Sequence, residues 1–290
     1  MYDSWLSHYY AHLLEEIDAR CRRETLDYAW FRGLDDDLWA ILLSKEYSLY
    51  PNLRAALPDL PEREVQETWN GRSGIELAGQ SAAFYKKLKA LQGRHGAVPL
   101  ARVVVLDFGC GWGRLIRFLA RDVAPGNLFG CDPYPGILDV CERTRVPGRL
   151  ASIPYVTASL PFSERFDLVY AFSVFTHLSE ATHQASLRAI HAGLADGGLL
   201  IATTRPPAYV RDGLHEALPR ASAAKKLERG KPAYLFAAHD VQPSGGEVTF
   251  GEAVVNLPYV RERWGELFEL VDVSLMLDDI YQVVLTLRRR

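Results

Sequence analysis

The chain has no Cys-x-x-Cys pair, and its four cysteines, Cys21, Cys110, Cys131 and Cys141, fall at no metal-ligand spacing. They are expected as free thiols in a reducing compartment, and no metal site is expected. No apolar run approaches the ~18 residues that a transmembrane helix needs, so membrane insertion is not expected. The opening Met1-Tyr-Asp-Ser-Trp5 has neither a basic n-region nor an apolar h-region. No signal peptide is therefore expected, which points to the cytoplasm. An excess of positive charge is also missing: the net charge is −3, which argues against a strongly basic nucleic-acid groove. The terminal Arg288-Arg-Arg290 reads as a solvated end. Asp35-Asp36-Asp37 precedes Leu38, Trp39, Ile41 and Leu42, so it reads as the acidic first turn of a helix rather than as a cation site.

What is present suffices for a large core. The chain has 290 residues, of which 48% are apolar and 24% charged, enough for one domain with additions or for two. It is organised around residues 103 to 119. Val103-Val-Val-Leu106 is an unbroken apolar run of the kind buried on both faces of a parallel sheet. Asp107 follows, then Gly109, Gly111 and Gly113, and apolar residues resume at helical spacing at Leu115, Ile116 and Leu119. The unit is strand, glycine turn, helix. Glycine tolerates positive φ and lets a ligand lie against the backbone. The first turn of the helix is expected to offer unpaired N–H groups to an anionic group.

A second apolar segment, Leu128-Phe-Gly-Cys-Asp132, ends in another acid 19 residues after Gly113, close to the ~20 that sets an acid on a ribose in nucleotide folds. The turn lacks the Gly-Lys-Ser/Thr of a phosphate loop, and its Asp-x-Gly-x-Gly-x-Gly spacing is not the Gly-x-Gly-x-x-Gly of a dinucleotide fold.

Asp107-Phe-Gly-Cys-Gly-Trp-Gly113 resembles the first motif of the class I S-adenosylmethionine-dependent methyltransferases. Phe166-Asp-Leu-Val-Tyr-Ala-Phe-Ser-Val-Phe-Thr-His-Leu178 resembles the fourth strand of that family's small-molecule branch, and Asp196-Gly-Gly-Leu-Leu-Ile-Ala-Thr-Thr204 its fifth. The matches stand in the family's order and cover about residues 100–205. In wording the chain is nearest to bacterial enzymes of glycan and natural-product pathways.

The rest of the chain fits that resemblance. Regular αβ alternation predicts strands at 103–107, 128–132, 153–157, 166–172 and 199–204, with helices at 114–122, 135–144 and 180–194. Gly197-Gly198 is read as the end of the last of these helices. A helix from Pro258 to Phe268 and a closing hairpin, 270–276 and 281–287, match the family's sixth and seventh strands. The expected fold is α/β, a Rossmann-like doubly wound seven-stranded sheet whose seventh strand is antiparallel. Residues 1–98 form an N-terminal helical extension or lid, with amphipathic helices over 3–24 and 75–91. Residues 99–290 form the methyltransferase domain, with 206–250 as a cap insertion that carries Lys225, Lys226, Arg229 and Lys231 and a turn at Pro243-Ser-Gly-Gly246.

The resemblance implies S-adenosyl-L-methionine as cofactor. It implies cofactor contacts from Asp107, Gly109, Cys110, Gly111, Gly113, Asp132, Pro133, Ser159, Phe172 and Ser173. Asp107 would hold the methionine end, and Asp132 the ribose hydroxyls. Thr157-Ala-Ser159 stands where the family often has an acid for the adenine amino group. His177 is the candidate general base, and it can equally pack as a structural residue. His239 beside Asp240 is an alternative basic pair. Trp69, Arg72, Tyr85, Arg205, Tyr209 and His239 are candidates for the acceptor pocket, although Trp69 and Tyr85 can also be core aromatics. The implied activity is methyl transfer to an oxygen, with nitrogen the lesser alternative, of a small molecule or glycan intermediate. A non-catalytic S-adenosylmethionine-binding scaffold, a nicotinamide-dependent oxidoreductase and a nucleic-acid methyltransferase are the competing readings. The last is disfavoured because Asp132-Pro-Tyr-Pro135 follows the second strand rather than the fourth.

Overall fold

The computed structural model describes residues 2–212, 227, 230–242, 244 and 246–290. Its centre is a seven-stranded sheet of β1 (Val105–Phe108), β2 (Leu128–Asp132), β3 (Arg149–Ser152), β4 (Phe166–Ala171), β5 (Leu194–Thr204), β8 (Phe268–Ser274) and β9 (Val283–Arg289). The order is β3-β2-β1-β4-β5-β9-β8. The first five strands pair in parallel, and β9 runs antiparallel to both β5 and β8. The order reverses between β1 and β4, so the switch point opens beyond the carboxyl ends of these strands. A separate two-stranded antiparallel sheet pairs β6 (Tyr234–Ala238) with β7 (Gly251–Val255). It lies in the segment expected as a cap, whose Lys225, Lys226, Arg229, Pro243 and Gly245 fall outside the described residues.

Successive residues of β1 serve opposite faces, as a pleated strand requires. Val105 joins a core with Trp39, Phe84, Leu88, Phe118, Tyr170 and Ile201. Leu106 joins the other, with Phe129, Val169, Phe175, Leu187, Ile190 and Trp264. The first core is shared with the N-terminal helices α1 (Tyr2–Tyr9), α2 (Ala11–Cys21), α3 (Asp36–Ser44), α4 (Pro51–Ala56), α5 (Arg63–Asn70) and α6 (Gly74–His95). The indole N–H of Trp39 donates to the Phe118 carbonyl at 3.1 Å, and Phe84 packs on Phe172 with ring centroids 4.6 Å apart. The side chain of Asp35 accepts the N–H groups of Asp37 and Leu38 and so caps α3.

Several boundaries differ from the sequence reading. The third strand is 149–152 rather than 153–157, because Pro154 cannot donate to a ladder and the edge position tolerates the half-exposed Arg149-Leu-Ala-Ser152. The helix expected over 114–122 shortens to α7 (Ile116–Leu119). The helix expected to stop at Gly197-Gly198 is α9 (Glu180–Gly193), and β5 begins at once. Phe166 pairs with Leu194 and Leu168 with Leu199, so Ala195 to Gly198 bulge from the register. The helix expected from Pro258 is two short turns, Leu257–Tyr259 and Val260–Trp264. The helix expected over 3–24 breaks at Tyr10 into α1 and α2.

Candidate cofactor and acceptor site

Three glycines shape the turn after β1. Gly109, Gly111 and Gly113 have φ of 76°, 51° and 78°, a region that other residues enter only at a cost. A Cβ on Gly109 would lie 2.5 Å from Val174 Cγ2, and one on Gly113 2.5 Å from Val146 Cγ1. At Gly111 the space is open enough that the nearest atom, Cε3 of Trp69, would be 3.6 Å away. Trp69 therefore covers the turn, 41% exposed, and its ring meets Tyr134 at 5.8 Å between centroids. Tyr134 opens α8 (Pro135–Arg143) as its N-cap and follows the half-buried Pro133.

The N–H groups of the glycine turn itself are mostly taken within the chain. The N–H groups of Gly109 and Cys110 both donate to the Cys131 carbonyl, at 2.8 and 3.1 Å, and that of Gly113 to the Cys110 carbonyl at 3.0 Å. The N–H of Gly111 donates to Asp132 Oδ2 at 2.9 Å. With these donors used and α7 only four residues long, the turn offers an open backbone surface rather than a positive pole.

Two acids flank that surface. Asp132 is buried, and its Oδ1 takes the N–H of Tyr134 at 2.9 Å. Burial pushes its carboxyl up to about 6, against the pull of these two hydrogen bonds. Asp107 is buried as well, and its Oδ2 has no hydrogen-bond partner. Burial pushes it up to about 7, opposed by the hydroxyl of Tyr170 and the guanidinium of Arg114. Arg114 is also buried, donates to Gln80 Oε1 at 3.0 Å and Ser81 Oγ at 3.1 Å, and stands 5.0 Å over the Phe172 ring. Desolvation lowers it to about 10, opposed by Asp107. Cys110 and Cys141 both face the Gly111 carbonyl, at 3.7 and 3.2 Å. All four cysteines are free.

At the end of β4, Ser173 takes φ of 59°, an unusual conformation for a residue with a side chain. It is held by Thr203 Oγ1, which accepts its N–H at 2.7 Å, and by Gln282, which donates to its Oγ at 3.0 Å. Ser159 is exposed, and its carbonyl accepts Thr157 Oγ1 at 2.7 Å.

A second cluster gathers beyond the ends of β4 and β5, around a residue that the sequence reading passed over. Glu252, buried on β7, pairs with Arg205. It accepts Nε2–H of His239 at 3.1 Å and the hydroxyl of Tyr209 at 3.2 Å. Its Oε1 is 3.5 Å from His177 Nδ1. The Arg205 guanidinium also stacks 4.4 Å over the Tyr209 ring and donates to the Thr176 carbonyl at 2.8 Å. His177, 23% exposed, stacks on Phe250 at 5.2 Å. Its Nδ1 is 2.9 Å from the Gly251 carbonyl, which can only accept, so the proton sits on Nδ1 and the lone pair on Nε2. Desolvation and the nearby Arg205 charge push His177 down to about 4.

The fold thus brings His177, Arg205, Tyr209 and His239 onto one carboxylate, and sets Trp69 over the turn that Asp107 and Asp132 border. Tyr85 is a correction. It is a buried core residue whose hydroxyl donates to Asp122 and accepts Arg121 Nε, with its ring on Phe118. Arg72 is exposed and pairs with Glu76 at 3.4 Å. Glu252 and Arg114 were missed. Each was nonetheless visible as one charge inside an otherwise apolar run, Gly251-Glu-Ala-Val-Val255 and Arg114-Leu-Ile116. Among the described residues, no group of three metal-ligating side chains assembles and no helix is long and apolar enough to cross a membrane.

A parallel sheet in this order, closed by one reversed strand beside β5, is the class I methyltransferase fold, with Asp107 next to last in β1 and Asp132 last in β2. The fold and the family match within it support an S-adenosylmethionine-dependent methyltransferase. Residues 105–198 match the family described as "Methyltransferase domain". A ubiquinone biosynthesis O-methyltransferase from Methylobacterium sp. (strain 4-46) is 36% identical over 115 residues, which are 38% of this chain and 43% of that protein. The chain thus matches less than half the length of this curated relative. Among solved structures, an S-adenosylmethionine-dependent methyltransferase from Mesorhizobium loti is similar with a TM-score of 0.48 at 15% identity, covering 71% of this chain and 98% of that one. Magnesium protoporphyrin IX methyltransferase from Synechocystis PCC 6803 is similar with a TM-score of 0.48 at 15% identity, over 74% and 87%.

Proposed function

We propose that the chain transfers a methyl group from S-adenosyl-L-methionine to an oxygen, in preference to a nitrogen, of a small molecule or glycan intermediate. The observation that carries this reading is the pair of buried acids on either side of the glycine turn. Asp107 keeps an unpartnered oxygen there. Each oxygen of Asp132 takes one backbone N–H, which leaves acceptor capacity for ligand hydroxyls. An unpaired buried carboxylate costs free energy, and a cationic or hydroxyl-bearing ligand would offset that cost. These residues fit the amino-acid and ribose parts of the cofactor. Gly109, Gly111, Gly113, Pro133, Phe172 and Ser173 would line it. Cys110 and Ser159 would border it.

When bound, the cofactor's sulfonium supplies an electrophilic methyl group. The chain's own task is then to place the acceptor, exclude water and take a proton. His177 supports an oxygen acceptor, since its Nδ1–H is anchored on Gly251 and Nε2 carries the lone pair; Arg205 stands 3.4 Å from that nitrogen and has to move off it for a hydroxyl proton to be taken. Burial holds its proton affinity low, so it would remove a proton in concert with transfer rather than beforehand. Arg205, Tyr209, His239, Trp69 and Arg72 would face the acceptor. The printed activity of the Methylobacterium relative, an O-methyltransferase, is consistent with oxygen. A non-catalytic S-adenosylmethionine-binding scaffold is the second reading.

The test is calorimetric titration with S-adenosylmethionine, S-adenosylhomocysteine and NAD, followed by a screen of hydroxylated aromatic and sugar acceptors scored by S-adenosylhomocysteine release. Binding of the two adenosyl ligands and not NAD is expected, with turnover of a hydroxyl acceptor. Binding of NAD alone would overturn the reading, and binding without turnover of any acceptor would favour the scaffold.

A further inference from the structure

We propose that Glu252 is a positioning residue of the acceptor site: its carboxylate holds Arg205, His239 and Tyr209 in one array and sets the charge against which His177 works. The proposal rests on the reading of this cleft as the acceptor site. Glu252 lies within a strand whose every residue is buried. A lone carboxylate in such a strand is costly unless paired and hydrogen-bonded. It is paired with a guanidinium, an imidazole N–H and a phenol together. These three partners come from the end of β5 (Arg205), the adjoining α10 (Ala208–Arg211; Tyr209) and the β6–β7 hairpin (His239). One oxygen atom pair thus connects segments far apart in the chain.

The hairpin does not need that carboxylate to stay in place. It is joined to the loop after β4 by backbone bonds: Gly251 N–H to the His177 carbonyl at 2.8 Å, Ala253 N–H to the Thr176 carbonyl at 2.8 Å, and Ser179 N–H to the Thr249 carbonyl at 2.9 Å. The side chain of Glu252 is therefore free for a task other than docking. His177 and His239 both face Glu252, but the three do not assemble into a metal site among the described residues. Here Arg205 already supplies the cation, and Nδ1 of His177 gives its proton to Gly251. With Glu252 ionised, the Arg205 charge is balanced. Without it, a bare guanidinium faces both imidazoles. The charged and titratable groups facing His177 include Arg205, Glu252 and His239, whose ring centroid is 6.4 Å away, and those facing His239 include Glu252 and His177, with Tyr209 on the same carboxylate.

The experiment is a pH titration of the ¹⁵N-histidine-labelled full chain by long-range ¹H–¹⁵N correlation. It covers the wild type, Glu252→Gln and Glu252→Asp, with resonances assigned by replacing His177 and His239 singly. In the wild type, His177 is expected as the Nδ1–H tautomer. In Glu252→Gln, the midpoint of His239 is expected to fall by about one pH unit or more, the usual size of losing an adjacent opposite charge, and Glu252→Asp is expected to recover part of that shift. S-adenosylhomocysteine affinity is expected to remain at the wild-type value in both. An Nε2–H tautomer of His177 in the wild type, or an unmoved His239 midpoint in folded Glu252→Gln, would overturn the proposal. Loss of the fold in Glu252→Gln would overturn it in favour of a purely structural role. Failure of the wild type to bind S-adenosylhomocysteine would count against the cofactor reading alone, because the histidine signals are read without ligand.

Discussion

Asp132 at the end of β2 accepts the N–H of Gly111 at 2.9 Å, so the acid of the second strand holds the turn of the first. The same carboxylate takes the N–H of Tyr134, which sets the entry into α8. A residue read as a ribose ligand is therefore also a brace. Asp132→Ala should abolish S-adenosylhomocysteine binding by calorimetry. It should also lower thermal stability, since two partly buried N–H groups lose their acceptor, at about 1 kcal/mol each. Asp132→Asn separates the two effects: it retains one acceptor oxygen and should recover stability before affinity. Unchanged affinity in the alanine variant would remove Asp132 from the site.

Gly109→Ala should destabilise the protein by roughly 1–3 kcal/mol, read as a lower melting temperature. Its φ of 76° and the 2.5 Å approach of Val174 Cγ2 both oppose a methyl group. Gly111→Ala meets only the Trp69 ring at 3.6 Å. It should cost less stability than Gly109→Ala and act mainly on ligand binding, because the methyl group would stand on the open face of the turn.

The stabilising contribution of Asp107 and Asp132 to the ligand-free protein should fall as pH rises from about 4 to 7, while the buried His177 and His183, held down at about 4 and about 3, contribute in the opposite direction over the same window. Asp107 and Asp132 have folded values raised from 3.8 to about 7 and about 6. Between the unfolded and folded values the native state binds more protons, so their contribution is complete below pH 4 and is lost as pH passes the folded values. The stability of Asp107→Asn relative to the wild type should rise across this window, because the variant lacks the Asp107 contribution that the wild type loses. An identical slope would show that Asp107 is ionised throughout.

Tyr85→Phe should lower stability by about 1 kcal/mol, the typical worth of a hydrogen bond, and leave S-adenosylhomocysteine affinity unchanged. The hydroxyl serves Asp122 and Arg121 within the N-terminal core. A changed affinity would return Tyr85 to the binding site.

His177→Ala should slow turnover of a hydroxyl acceptor by about 10²–10⁴-fold, the usual range for a general base, with S-adenosylhomocysteine affinity retained. Because His177 is held down at about 4, its own titration should leave no inflection near pH 6.5 in the rate profile. Turnover near the wild-type rate in the alanine variant would make it a packing residue against Phe250.

The central fold was readable from the chain alone because its signals are local. Val103 to Leu106 must be buried on two sides, three glycines at alternate positions must turn, and acids at 107 and 132 stand at or next to the carboxyl ends of strands. These constraints act within a few residues, and a helix or a surface loop satisfies none of them. Edge elements carried weaker signals. Arg149-Leu-Ala-Ser152 has no apolar periodicity to announce a strand, and only the ladder of β2 makes it one. Tertiary structure alone decided three further matters. Nothing in the sequence says where the N–H groups of the glycine turn go, and the Cys131 carbonyl and Asp132 take those of Gly109, Cys110 and Gly111. Tyr85 sits at a position that could line a cleft, and the packing of α6 turned it into the core. His177, Arg205, Tyr209 and His239 stand up to 62 residues apart in the chain, and nothing in their spacing says that they meet. They meet because the β6–β7 hairpin folds back on the loop after β4 and brings Glu252 with it, and a buried carboxylate must gather whatever donors the fold places within reach.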